Sequence, residues 1–176
     1  MNLIYTVRSV ASLLGACQRR VPEPGESWQA AGPPAVPPPH ELEPAGLSRL
    51  FGDDRPFELR PADPSKDGAP FAHPFWVRVT EPVADDPALH AGLLTFLSDI
   101  AVVNAARAPL SRTRYGLLVS LDHSIWFHRP PRVDQWLLYD MGSVAHVGSR
   151  GLATGSMRTT DGTLIASIVQ EVLLRR

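Results

Sequence analysis

Ser120–Pro130 reads SLDHSIWFHRP, and its period decides how the chain is built. Odd positions carry Leu117, Val119, Leu121, His123, Ile125 and Phe127, while Ser120, Asp122, Ser124, Trp126 and His128 fall on even ones. Alternation with period two predicts one β-strand with a buried odd face and a polar even face. On that reading Ser120 sits on the polar side, and His123 is the lone polar residue on the apolar side.

Upstream the period changes. Between Pro87 and Ala106, Leu89, Leu93, Phe96, Ile100 and Val103 recur at three- and four-residue intervals, which predicts an amphipathic helix presenting that stripe to a core. Asp86 followed by Pro87 suits an N-cap with proline at the first helical position. Phe57–Arg60 and Phe75–Thr80 are short strand candidates, and the PADPSKDGAP between them is a loop by its turn-forming residues. Three longer strands are expected downstream, at Gln135–Ala145, Leu152–Thr159 and Leu164–Leu174, the last two joined by a tight turn at Asp161 and Gly162. One long helix followed by a run of antiparallel strands predicts an α+β domain whose sheet wraps the helix.

Composition narrows the partners. The chain has 176 residues, 44% of them hydrophobic, enough for one core and short for two ordinary domains. A net charge of -1 without a long basic run gives no electrostatic footprint for nucleic acid or an anionic membrane, so small molecules or protein are the expected partners. No unbroken apolar run approaches the ~20 residues of a membrane span. The single cysteine, Cys17, forms no internal disulfide and points to a reducing compartment, the cytoplasm. A lipoprotein-type leader ending at Cys17 fits poorly, because Arg8 follows Leu3, Ile4 and Tyr5 and the apolar stretch carries Ser9 and Ser12. Val21–Pro44, with PEPG, GPPAVPPPH and EPAG, is a proline-rich linker that forbids regular helix or sheet and need not be ordered.

Two residues stand out chemically, Asp99 and Gln170, and Ser120 on its polar face is unremarkable by itself. Asp99 lies three residues after Phe96 and four before Val103, so the helix carries a carboxylate toward its apolar side, where an ionised group costs several kcal/mol unless donors reach it (an order-of-magnitude figure). A helix-edge carboxylate turned to water reads that position equally well. Gln170 interrupts the apolar series Leu164, Ala166, Ile168, Val172 and Leu174, and a core amide bonded to a neighbouring strand remains the plainer alternative. Ser120 has no glycine-flanked elbow around it and is not a nucleophile by context. His123 reads first as a satisfied core histidine, and no metal-ligand spacing links the six histidines.

The SLDHSIWFHRP segment, with WLLYD at Trp136–Asp140, SRGLATG at Ser149–Gly155 and DGTLIASIVQE at Asp161–Glu171, resembles the C-terminal half of a type II acyl-CoA thioesterase. In that family two hotdog folds share one chain. The resemblance covers roughly residues 53–176 and implies a single hotdog domain there, with residues 1–52 a remnant of the first hotdog plus linker. YTVRSV at Tyr5–Val10 and QRRVPEPG at Gln18–Gly25 are similar to that first copy's closing strands and exit. It also implies an acyl-CoA substrate, no cofactor, and a water held by Asp99 in LSD, Ser120 in SLDHS and Gln170 in VQE. Val172 stands where the family usually has glycine after QE. A single copy implies half a pocket, so a homodimer or another hotdog partner is expected to complete it. The alternatives are a hotdog that binds acyl-CoA or a partner without turnover, and an enoyl-CoA hydratase, for which His90 and Asp99 lie nine residues apart and share no turn.

Overall fold

The computed structural model describes residues 27–32, 35–45, 54–63, 74–107 and 117–175. The strand remnants expected near Tyr5–Val10 and Gln18–Gly25 lie outside them. Seven strands form one antiparallel sheet: β1 (Phe57–Pro61), β2 (Phe75–Val79), β3 (Leu117–Ser120), β4 (Ser124–Phe127), β5 (Leu137–Val147), β6 (Arg150–Thr159) and β7 (Leu164–Arg175). Their spatial order is β1-β2-β5-β6-β7-β3, with β4 also on β7. The one α-helix among the described residues, α1 (Pro87–Arg107), lies in the curl of this sheet, packed against β3, β5, β6 and β7. This is the α+β single hotdog.

Helix α1 starts as its sequence predicts. Asp86 Oδ1 accepts the Ala88 amide at 2.9 Å, satisfying one of the otherwise unpaired first-turn donors, and Pro87 supplies no donor that needs one. The buried stripe, however, is not the expected one. Leu94, Leu97, Ser98, Ala101, Val102 and Ala105 face the core, whereas Leu93, Phe96, Ile100 and Val103 flank it and Leu89 is 43% exposed. The reason is that α1 is apolar almost all round, so periodicity does not choose a face; the small residues Ser98, Ala101 and Ala105 do, by letting the sheet approach. His90, Ser98 and Asp99 interrupt its apolar run, yet by length and mean composition α1 meets the criterion for a membrane span; it is the core helix of this domain.

The two glycines of SRGLATG belong to this packing. A Cβ on Gly151 would lie 3.2 Å from Ala106 of α1 and 3.2 Å from Val172, its partner on β7. On Gly155 it would come within 2.6 Å of the Tyr139 ring. Tyr139 is fully buried, edge-on to Phe75 at 5.5 Å, and its hydroxyl donates to the Ser98 carbonyl at 2.7 Å, pinning α1 to β5. At the β6–β7 turn, Gly162 adopts φ +83°, a conformation glycine reaches without Cβ strain.

The proline-rich stretch contains one 3-10 turn, Pro39–Glu41, and no other regular element among its described residues. It is nonetheless tied to the sheet's outer face. Trp76 Nε1 donates to Pro37 O at 2.9 Å, Arg60 to Pro39 O at 2.7 Å and Leu42 O at 3.0 Å, and Arg158 to Ala30 O at 3.0 Å. Val36 and Leu42 pack with Trp76, Leu138 and Ala62 beneath them.

Candidate active site

The stretch that opened the sequence reading folds as two strands, not one. Ser120 pairs with Val172 and Ser124 with Val169, so three residues, Leu121, Asp122 and His123, face the two β7 residues Gln170 and Glu171. The surplus residue is a β-bulge. Leu121 N donates to Glu171 O at 2.8 Å, and Asp122 Oδ1 takes the Glu171 amide at 2.9 Å, a side chain replacing a lost ladder acceptor. The bulge inverts the alternation halfway along. Leu118 on β3 and Ile125 and Phe127 on β4 all pack on the core, so the even face is inside before the bulge and the odd face after it. Ser120 is exposed, as its place on the polar side predicts, yet it shares a face with Leu118 and its hydroxyl meets Gln170.

Gln170, at 0% exposure, is held by β7 between the two half-strands. Its Nε2 donates to Ser120 Oγ at 2.6 Å, and its Oε1 contacts His123 Nδ1. His123 Nε2 lies 2.8 Å from Ser98 Oγ on α1, whose hydroxyl is also 2.8 Å from the Thr95 carbonyl. Asp99, next on the helix, places Oδ1 3.8 Å from His123 Nδ1 while keeping a 12% exposed side chain. Asp99 Oδ1 is buried, and no donor among the described residues hydrogen-bonds it. Burial, reinforced by the Asp99 charge, pushes the Tyr139 phenol well above its ordinary range, so Tyr139 stays a neutral donor.

Asp99, Ser120 and Gln170 are thus brought into one cluster, and its centre is a residue the sequence reading set aside. His123 touches Ser98, Gln170 and Asp99 from a buried position. The available signal was its place as the lone polar residue among apolar odd positions, facing an equally isolated glutamine. Ser98 and Tyr139 had no such signal. His90 stands apart from this cluster: its Nδ1 accepts the Val133 amide at 3.3 Å. Among the described residues no three His, Cys, Asp or Glu side chains converge as a metal site. Chemically, the cluster offers an acceptor carboxylate with a free buried oxygen beside a polarised chain of amide, imidazole and hydroxyl.

A model of the acyl-CoA thioesterase family matches residues 47–173. Acyl-coenzyme A thioesterase 8 of Homo sapiens is 30% identical over 207 aligned positions, covering 97% of this chain and 64% of that protein. Acyl-CoA thioesterase 2 of Haemophilus influenzae is 34% identical over 141 positions, covering 75% of this chain and 49% of that one. The crystal structure of an acyl-CoA thioesterase II from Mycobacterium marinum is similar with a TM-score of 0.72 at 33% identity, over 89% of this chain and 60% of that chain. A hot dog fold protein from Alicyclobacillus acidocaldarius, TM-score 0.66 at 18% identity, covers 88% of this chain and 59% of that one and shares the fold alone. The chain spans between 44% and 64% of the length of its curated relatives.

Proposed function

The chain belongs to the acyl-CoA thioesterase family, and from that membership we propose that it hydrolyses acyl-CoA to a free carboxylic acid and CoA with Asp99, Ser120 and Gln170 as the water-holding residues. One observation carries the assignment: a buried Asp99 oxygen that no donor among the described residues hydrogen-bonds, linked through His123 to a glutamine–serine pair whose polar atoms lie 2.6 Å apart. Asp99 accepts a proton from water as the water oxygen bonds to the thioester carbonyl carbon, and the C=O electron pair moves onto oxygen. Collapse of that adduct restores the carbonyl and breaks the C–S bond. The thiolate leaves readily, since its parent thiol has a pKa of about 8.5, and the proton held by Asp99 returns to it or to solvent. Ser120 and Gln170 orient the water, which lowers the entropic part of the barrier.

Replacing Asp99 by Asn keeps the shape and removes the base. Thiol release from acyl-CoA should fall by roughly 10²- to 10⁴-fold, the usual contribution of a positioned general base. Undiminished release in folded Asp99→Asn refutes the assignment.

The reach of the chain favours a second reading. The chain spans about half to two-thirds of its relatives, and we propose that a second hotdog unit, such as another copy of this chain, completes the pocket. Pairing through β2 is closed, since β1 and β5 already occupy both its edges; among the described residues β1 is the edge on that side, and β3 and β4 form the other. If light scattering finds a monomer and thiol release is absent, the chain is a hotdog that binds acyl-CoA or a partner without turnover.

A further inference from the structure

Water activation by Asp99, Ser120 and Gln170 leaves His123 without a part, although it is the group that joins them. Its side chain is 3% exposed and sits between α1 and β7. A ring nitrogen facing the amide oxygen of Gln170 must carry a proton, because that oxygen only accepts. The other nitrogen follows from Ser98. If the Ser98 hydroxyl donates to His123 Nε2, the ring is neutral with its proton on Nδ1; if it donates to the Thr95 carbonyl instead, Nε2 must donate to Ser98 and the ring is an imidazolium. With Gln170 Oε1 facing it, Nδ1 carries a proton in both cases.

The consequence runs down the chain of contacts. The Nδ1 proton holds Gln170 with its oxygen to His123 and its nitrogen to Ser120, the orientation observed, so the Ser120 hydroxyl accepts there and keeps its own proton for another acceptor. A bare Nδ1 would demand the amide nitrogen. The amide would turn over, and Ser120 would give its proton to Gln170 Oε1. We infer that His123 is a positioning residue whose Nδ1–H form sets the direction of the hydrogen-bond chain from Ser98 through Gln170 to Ser120, and with it the polarity that the substrate water meets. The inference rests on the water-holding assignment above for its catalytic consequence, and on geometry alone for the protonation of the ring.

Two measurements on the full chain test it. Two-bond 1H–15N spectra of the histidine rings, with His123 assigned by its loss in His123→Asn, should show a protonated Nδ1; a ring protonated only on Nε2 overturns the inference whether or not the protein hydrolyses anything. In thiol-release kinetics, His123→Leu should lower kcat by roughly 10- to 100-fold with little change in KM, as expected when a reacting group is misplaced rather than substrate binding lost. His123→Asn, whose amide can donate from near the position of Nδ1, should recover most of that loss. Equal impairment of the two variants at equal Tm, or impairment of neither, overturns it. A wild-type protein with no turnover but a protonated Nδ1 instead sinks the proposed activity and leaves the ring assignment standing.

Discussion

Gly155→Ala puts a methyl group where the fold has no room. The added Cβ would stand 2.6 Å from Tyr139 Cε2, against the ~3.5–4.0 Å of an ordinary carbon contact, so about 1 Å must be found. Tyr139 cannot readily supply it. The ring is fully buried, Phe75 stands edge-on at 5.5 Å, and the hydroxyl is held at 2.7 Å by the Ser98 carbonyl. Overpacking of this kind costs roughly 1–3 kcal/mol, and losing the Tyr139 hydrogen bond adds about 1 kcal/mol. The stiffer unfolded chain of the alanine variant returns about 0.4–1 kcal/mol. A net destabilisation of about 2 kcal/mol follows, which for a domain of this size lowers Tm by roughly 4–8 °C. Equilibrium urea unfolding and a thermal scan measure it. The same change in a Tyr139→Leu background should cost markedly less, because the shorter side chain vacates the collision. If Gly155→Ala proves neutral, or costs the same with and without the Tyr139 ring, the reasoning fails.

Three further outcomes are expected. Asp86→Ala removes the cap on the Ala88 amide and should cost about 1 kcal/mol, read as a fall in urea midpoint with unchanged slope. The Glu58 carboxyl is pushed up by partial burial, but hydrogen bonds and charge from Arg60 and Arg78 outweigh that and hold it below its unfolded value of 4.5. Its contribution is therefore complete above about pH 4.5 and is lost as pH falls through the lower folded value, so acid unfolding of Glu58→Gln should show a smaller pH dependence than wild type below that pH. Tyr139 behaves oppositely: burial raises its pKa above the unfolded value of 10.0, so stability is full below pH 10.0 and declines above it, and Tyr139→Phe should flatten that alkaline decline.

The elements themselves were legible because each depends on local chemistry. Asp86 and Pro87 mark where α1 begins, and Asp161 and Gly162 mark a turn whose geometry glycine permits. The face of α1 was not legible. An apolar residue on every side gives the period nothing to distinguish, and only the approach of the sheet selects Ser98 and Ala101 over Leu89 and Ile100. The proline-rich stretch was read as a linker from its composition, which says where hydrogen bonds within a strand are impossible but not that Trp76 and Arg60 would take its free carbonyls.

SLDHSIWFHRP shows the same division. Its sequence alone determined the strand character, the family and the identities of the polar groups available, because side-chain chemistry and local period are properties of neighbours along the chain. Only the tertiary structure decided that one residue is surplus. Whether the ladder skips at Leu121–His123 depends on the partner strand β7, where Asp122 caps the Glu171 amide, and that skip brings the exposed Ser120 and the buried His123 to the same glutamine. A two-residue period has no means of recording a change of phase imposed by a strand fifty residues away.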